Sequence, residues 1–256
     1  MRLLIVGDGV VGGSVSNALQ HNHKITKLDP PKGLGHDVDL FDLNLFDGVI
    51  ICVPTPANRD GSCDDLLVHN YINQIRVGDT DIPILLKSTT SIETLELYQN
   101  DPHLTFNPEF LTESNAHQEF LNQRFAIFGG AESRFWYELI VTSGVSIGTT
   151  RFTDIMKAGY AKYAINTFLA TKVVFFNELK AMYGGSDFDM LTDLIGLDDR
   201  VGSSHMMVPG PDGSAGYGGM CFPKDTNALL MSSKRKGHEL TLLGKVIEIN
   251  NELRND

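Results

Sequence analysis

One stretch of this sequence sets a cysteine among glycines and follows it with a cation and a carboxylate: Gly218-Gly219-Met220-Cys221-Phe222-Pro223-Lys224-Asp225. Glycines let a ligand approach the backbone closely. The thiolate, not the thiol, is the nucleophile, and an unperturbed cysteine with a pKa of about 8.5 needs a nearby positive charge to populate it at neutral pH. Lys224 is the candidate for that charge. On this segment alone a buried, inert cysteine beside an aromatic ring competes with the nucleophile, because free cysteine is commonly a small hydrophobe. Cys52 and Cys63 have no comparable surroundings and read as structural.

The elements that must position such chemistry begin at the N-terminus. The apolar run Leu3 to Val6 leads into Gly7-Asp8-Gly9-Val10-Val11-Gly12, and a helical pattern follows to Gln20. In such a strand, turn and helix the first glycine allows the tight turn. The second lets a pyrophosphate reach the backbone, and the third lets helix pack on strand. Phosphate then sits at a helix N-terminus, where free N–H groups favour negative charge. Ile25 to Leu28 reads as the next strand, ending in Asp29 at the distance where an acid binds the ribose hydroxyls and repels a 2′-phosphate. NAD is favoured over NADP, although Lys27 and Lys32 keep NADP open.

Apolar runs recur at Val49 to Val53, Ile82 to Leu86, Leu104 to Phe106 and Phe125 to Phe128, with helical or turn-rich segments between them. This alternation predicts an α/β fold with a parallel, doubly wound sheet over residues 1–150. Residues 151–256 read as mostly helical. A long helix runs from about Thr153 to Tyr183, stopped by Gly184-Gly185, and shorter ones follow at Phe188 to Ile195, Thr226 to Lys236 and Leu240 to Arg254. Ligands of such sheets bind at the carboxyl ends of the strands. Polar clusters fall there: Cys52-Val53-Pro54-Thr55-Pro56, Lys87-Ser88-Thr89-Thr90, and Asn107-Pro108-Glu109-Phe110-Leu111-Thr112-Glu113. Lys162 and Asn166, four apart, share one helix face, for which a solvated face is the plain alternative.

Composition narrows the classes of partner. A formal net charge of −11 over 256 residues, with no concentrated basic patch, argues against nucleic acid or a membrane surface. Three cysteines make no even disulfide framework and have no metal-ligand spacing. They suit a reducing compartment. No apolar run reaches membrane-spanning length, and the opening residues read as a core strand rather than a signal peptide, so a cytoplasmic protein without a metal is expected.

Several strings together resemble the UDP-glucose/GDP-mannose dehydrogenase family: the Gly7 to Gly12 turn, CVPTP, KST, NPEFLTE, AKYAINTFLATK followed by FFNEL, DDRVG and GYGGMCFPKDTNAL, in the family's order over nearly the whole chain. The resemblance implies an NAD-dependent oxidation of a nucleotide sugar's primary alcohol to an aldehyde. Capture as a thiohemiacetal, a second oxidation to a thioester and hydrolysis to the acid then follow. It makes Cys221 the nucleophile. It has Lys162 steady charge developing on the sugar oxygen, Asn166 bind substrate or position water, and Asp225 assist proton removal. Glu109 becomes the general base of thioester hydrolysis, with Glu113 nearby, while Thr89 contacts cofactor or the catalytic water. Gly7, Gly9, Val10, Val11, Gly12, Asp29, Pro54 and Thr55 fall to the cofactor, together with Thr89 and Glu113. Phe110, Leu111, Tyr217, Gly218 and Gly219 fall to the substrate, with Arg200 reaching it from the other subunit of a homodimer.

The chain departs from the family's pattern in several places. Family members continue past the last helix into a further α/β domain that holds the nucleotide, which is expected to be absent here. A separate chain is one way to supply that binding. Gly159 stands where the family has glutamate, Met220 where serine is frequent, and Asp212 to Ala215 read as a short insertion. Three readings follow: a nucleotide-sugar 6-dehydrogenase of the UDP-glucose type; a dehydrogenase of another nucleotide sugar or a smaller sugar phosphate; and a dimeric NAD-binding subunit without turnover.

Overall fold

The computed structural model describes residues 1–78, 81–111 and 115–255. The chain divides into two compact units, one of Met1–Pro56 and Cys63–Lys162, the other of Ala57–Ser62 and Tyr163–Asp256.

Among the described residues the first unit holds one sheet of β1 (Arg2–Val6), β2 (Lys24–Leu28), β3 (Gly48–Ile51), β4 (Ile84–Leu86), β5 (Leu104–Phe106), β6 (Asn122–Gly130) and β7 (Ser146–Thr153). Their spatial order is β2-β1-β3-β4-β5-β6-β7. The first five run parallel, with Leu3 beside Ile25 on one side and Gly48 on the other. The order reverses between β1 and β3, which makes a crevice at their carboxyl ends. Strands covered on both faces must be apolar on both. Here Leu4, Val6, Val49, Ile51, Ile84 and Leu86 pack under α2 (Leu66–Val77) and α3 (Ile92–Tyr98). The alternate residues Leu3, Ile5, Ile50 and Leu85 pack under α1 (Val10–Leu19), α4 (Ala116–Leu121) and α5 (Ser133–Thr142).

Two strands differ from the sequence reading. β6 pairs antiparallel with β5, Phe106 opposite Gly129, and β7 is parallel to β6, so the expected all-parallel sheet is mixed at this end. Parallel pairing needs a crossover back to the start of the neighbouring strand; β6 instead starts on the side where β5 stops. β7 went unread because its sequence, Ser-Ile-Gly-Thr-Thr-Arg-Phe-Thr, is largely polar, as suits a strand at the sheet's edge.

The second unit is built from the later part of α6 (Ile155–Tyr183) with α7 (Phe188–Gly196), α8 (Phe222–Arg235) and α9 (Thr241–Asn255). Gly184, at φ +65°, takes the left-handed conformation that stops α6. Ala170, Val174, Tyr217 and Val246 form one small core, and Phe176, Phe188 and Met206 another. α8 begins at Phe222, four residues before the Thr226 start expected from pattern. Pro223 lies in its first turn, where a missing N–H removes no helical bond.

Candidate functional site

The glycine turn after β1 is shaped by contact on one side and space on the other. A Cβ at Gly12 would lie 1.9 Å from the Gly7 carbonyl oxygen, and one at Gly7 would lie 2.6 Å from that of Cys52. Gly9, which caps α1, has nothing within 4 Å of its Cβ position. Its bare backbone thus opens onto space at the helix start, followed by exposed Val10 and half-buried Val11. The Asp8 N–H donates to Asp29 Oδ2 at 2.8 Å, so the acid ending β2 also braces the turn. Lys27 pairs with Asp8 Oδ1 at 2.7 Å. These residues fit a dinucleotide: an unobstructed amide nest for phosphate, with a carboxylate one strand away.

At the exits of β3 and β4, Pro54 is exposed, Thr55 buried and Thr89 half-buried. The Thr89 carbonyl accepts the Cys63 thiol at 3.7 Å, and Ser88 Oγ donates to the Val53 carbonyl at 2.7 Å. Cys52 is also buried, and burial pushes its thiol up to about 12, against the pull of Lys87. Both cysteines therefore sit as packing residues.

Glu109 lies after β5, in neither a helix nor a strand. Its Oε2 lies 3.0 Å from Lys87 Nζ, and its Oε1 accepts the Phe110 N–H at 3.0 Å. Lys87 is 2 % exposed. Its ammonium also donates to Asn107 Oδ1 at 2.7 Å and stands 5.4 Å from the Phe120 ring centroid, while Asn107 Nδ2 donates to the Ile127 carbonyl. Lys162 donates to the Glu109 carbonyl and lies 5.0 Å from the centroid of Phe110. Phe110 rests on Phe125, and Leu111 is half-buried against the sheet core. Glu113 lies outside the described residues.

In the second unit Asn166 Nδ2 donates to Asp225 Oδ2 at 2.6 Å, and Lys224 Nζ pairs with Asp225 Oδ1 at 2.7 Å. Asp225 is 1 % exposed. It is both a first-turn acid of α8 and the centre of a buried polar cluster. Lys224, expected beside Cys221 as the cation for its thiolate, is paired with this carboxylate. Cys221 is exposed and caps α8, its carbonyl accepting the Asp225 N–H at 2.8 Å. A helix N-terminus favours an anion.

The loop leading to Cys221 is clamped from α9. Asn250 Oδ1 accepts the Tyr217 N–H at 2.6 Å and Asn250 Nδ2 donates to the Tyr217 carbonyl at 3.1 Å. Arg254 donates to the same carbonyl at 3.0 Å and to Asp212 Oδ2 at 2.6 Å. A Cβ on Gly218 would lie 1.7 Å from the Arg254 guanidinium, and Gly219 takes φ +74°. The Tyr217 ring is core, packed edge-on to Phe222 at 6.2 Å. Arg200 is exposed and forks onto Asp198, and Lys172 anchors the adjoining turn through the Val201 and Gly202 carbonyls.

Lys162 and Asn166, for which a solvated face was the alternative, are 5 % and 7 % exposed. Sequence reasoning assigned no role to Lys87, Asn250 or Arg254. Lys87 left one signal: a lysine directly continuing the wholly apolar strand Ile84–Leu86.

The sheet order and the glycine turn define a dinucleotide-binding α/β protein with an appended helical unit. The model of the UDP-glucose/GDP-mannose dehydrogenase NAD binding domain matches residues 39–143, and that of the family's central domain matches residues 156–252. The chain is 34 % identical to the UDP-glucose 6-dehydrogenase of Rickettsia bellii over 98 % of its own length and 67 % of that protein. It is 30 % identical to UDP-glucose 6-dehydrogenase TuaD of Bacillus subtilis over 81 % of its length and 47 % of the relative. The structure of a UDP-glucose dehydrogenase from Pyrobaculum islandicum superposes with a TM-score of 0.79 at 25 % identity, over 98 % of this chain and 68 % of that one. The chain belongs to the UDP-glucose/GDP-mannose dehydrogenase family and carries its NAD-binding domain. It spans from about half to two thirds of the length of these relatives. Among the described residues no helix is long and apolar enough to cross a membrane.

Proposed function

We propose that this protein is an NAD-dependent nucleotide-sugar 6-dehydrogenase of the UDP-glucose type, oxidising a primary alcohol to a carboxylate. NAD held at the glycine turn supplies the two-electron acceptor for each oxidation. Asp225, with Asn166, takes up the alcohol proton through an ordered water, and Lys162 offsets negative charge on the sugar oxygen as the carbonyl forms. The Cys221 thiolate adds to the aldehyde carbon and the oxygen takes up a proton, giving a thiohemiacetal; loss of a hydride from carbon and of the hydroxyl proton leaves a thioester. Glu109 takes a proton from water as it attacks that thioester, and the thiol of Cys221 is released with the acid.

The observation that carries this reading is the pairing of Asn166 with a carboxylate buried in the turn that follows Cys221. An isolated buried carboxylate is costly, and this one has two polar partners beside an exposed thiol. The test is NADH formation from NAD and UDP-glucose, with Cys221→Ala and Cys221→Ser alongside, repeated with GDP-mannose, UDP-N-acetyl sugars and glucose 1-phosphate. Two NADH per UDP-glucose, absent in the alanine variant, supports the reading. Turnover of another of these sugars alone reassigns the substrate, and NAD binding with no turnover of any points to the non-catalytic subunit. A homodimer and a separate nucleotide-binding chain belong to the same proposal, and light scattering during turnover tests the first.

A further inference from the structure

Lys87 follows β4 directly, nearly sealed from solvent; its ammonium is ion-paired with Glu109 Oε2 at 3.0 Å and donates a hydrogen bond to Asn107 Oδ1 at 2.7 Å. A lysine loses rotamer freedom and hydration when buried, so such a residue persists where its charge is used. Asn107 is fixed in turn by donating to the Ile127 carbonyl, which locks its amide with the oxygen toward Lys87. The Phe120 ring closes the third side. The ammonium thus stands between the Asn107 amide, the Phe120 ring and the Glu109 carboxylate.

We propose that Lys87 is a positioning residue for Glu109: it aims the carboxylate and supplies its counter-charge in a site with little solvent to do either. This rests on the reading of Glu109 as the base of thioester hydrolysis. Other groups facing Glu109 are Lys162 from α6, directed at its carbonyl, and the Cys52 thiol from the end of β3, which burial keeps neutral. Neither replaces Lys87 at Oε2. Without the cation, burial favours the protonated acid, which cannot take a proton from water.

The test compares the full chain with Lys87→Met, Lys87→Arg and Glu109→Gln. First, the Glu109 carboxyl is followed by carbon NMR with pH in the free protein, assigned by its disappearance in Glu109→Gln. Lys87→Met is expected to move its ionisation to higher pH, and Lys87→Arg to leave it close to the parent. Second, steady-state NADH formation is measured from pH 6 to 9, with the Cys221 adduct quantified by intact mass. Below its displaced ionisation Lys87→Met should lose about tenfold in rate for each pH unit, and regain the parent's rate above it. It should accumulate the thioester at low pH, as Glu109→Gln does at all pH. An unmoved carboxyl ionisation, or a rate loss equal at every pH, overturns the proposal. If the ionisation moves but Glu109→Gln accumulates no adduct, the ion pair stands and the assignment of the base falls. Lys87→Gln provides a second neutral variant if the methionine fails to fold.

Discussion

Asp225 is more enclosed than a carboxylate is without partners, and its two oxygens are divided between Asn166 and Lys224. Removing Asn166's amide leaves one oxygen unmatched. Asn166→Ala is expected to cost about 1–3 kcal/mol in urea unfolding, the desolvation penalty of an unsatisfied polar group, together with the loss of turnover. The three cysteines should separate by reactivity. Cys52, pushed up to about 12 by burial, and buried Cys63 are shielded, whereas Cys221 is exposed. One thiol should therefore react rapidly with a disulfide reagent at pH 8 and two more only after unfolding; fast reaction of all three would contradict the packing. His205, lying on Phe222, is held below the ordinary histidine range by burial and then by Lys172. Its neutral form is the one the fold accommodates. That share of stability is complete above the unfolded value near 6.5 and is lost as pH falls toward the depressed folded value, so His205→Phe should flatten the acid side of a stability profile. Of these residues, the sequence made Cys221, Lys162, Asn166, Glu109 and Asp225 visible because they recur in a known order. It left the partners unseen: nothing along the chain says that Lys87 meets Glu109, or that Asn166 meets Asp225 across 59 positions.

At the scale of elements, the glycine turn offers a controlled comparison. Gly12→Ala drives a methyl group into the Gly7 carbonyl, whereas Gly9→Ala fills open space. The first should destabilise by at least the roughly 1–3 kcal/mol of core overpacking. The second should leave the melting temperature near the parent value while weakening NAD in a titration, since it obstructs the phosphate's approach rather than the fold. Gly159 is a different case. A Cβ there meets Leu95 of α3 at 2.3 Å, so the glycine sets how closely α6 lies on α3, and a glutamate in its place would displace that leucine. The strand-turn-helix opening, β5 and the end of α6 could be read because apolar runs and glycines mark them locally. The reversal of β6, the polar strand β7 and the early start of α8 could not, since strand direction, edge position and a proline's tolerance in a first turn are decided by neighbours in space.

For the whole molecule, ligand binding to the first unit should register in unfolding. At a free concentration of 100 times its dissociation constant, NAD is expected to add about 2.7 kcal/mol to the stability of whatever unfolds with the glycine turn. Chemical denaturation followed at Trp136, buried in the sheet core, reads this directly. No shift would mean that the turn does not hold the cofactor. The continuous helix α6 adds a constraint of another kind. Lys162 and Asn166 occupy the same side of it only because four residues nearly complete a turn, each residue advancing the rotation by about 100°. Substitution along α6 is a matter of size and polarity, but insertion or deletion of a single residue between these two positions would swing Asn166 off the shared side. In the drift of a lineage this helix should accordingly behave as a fixed-length gauge, with changes of length absorbed by surface loops such as the one around Asp212.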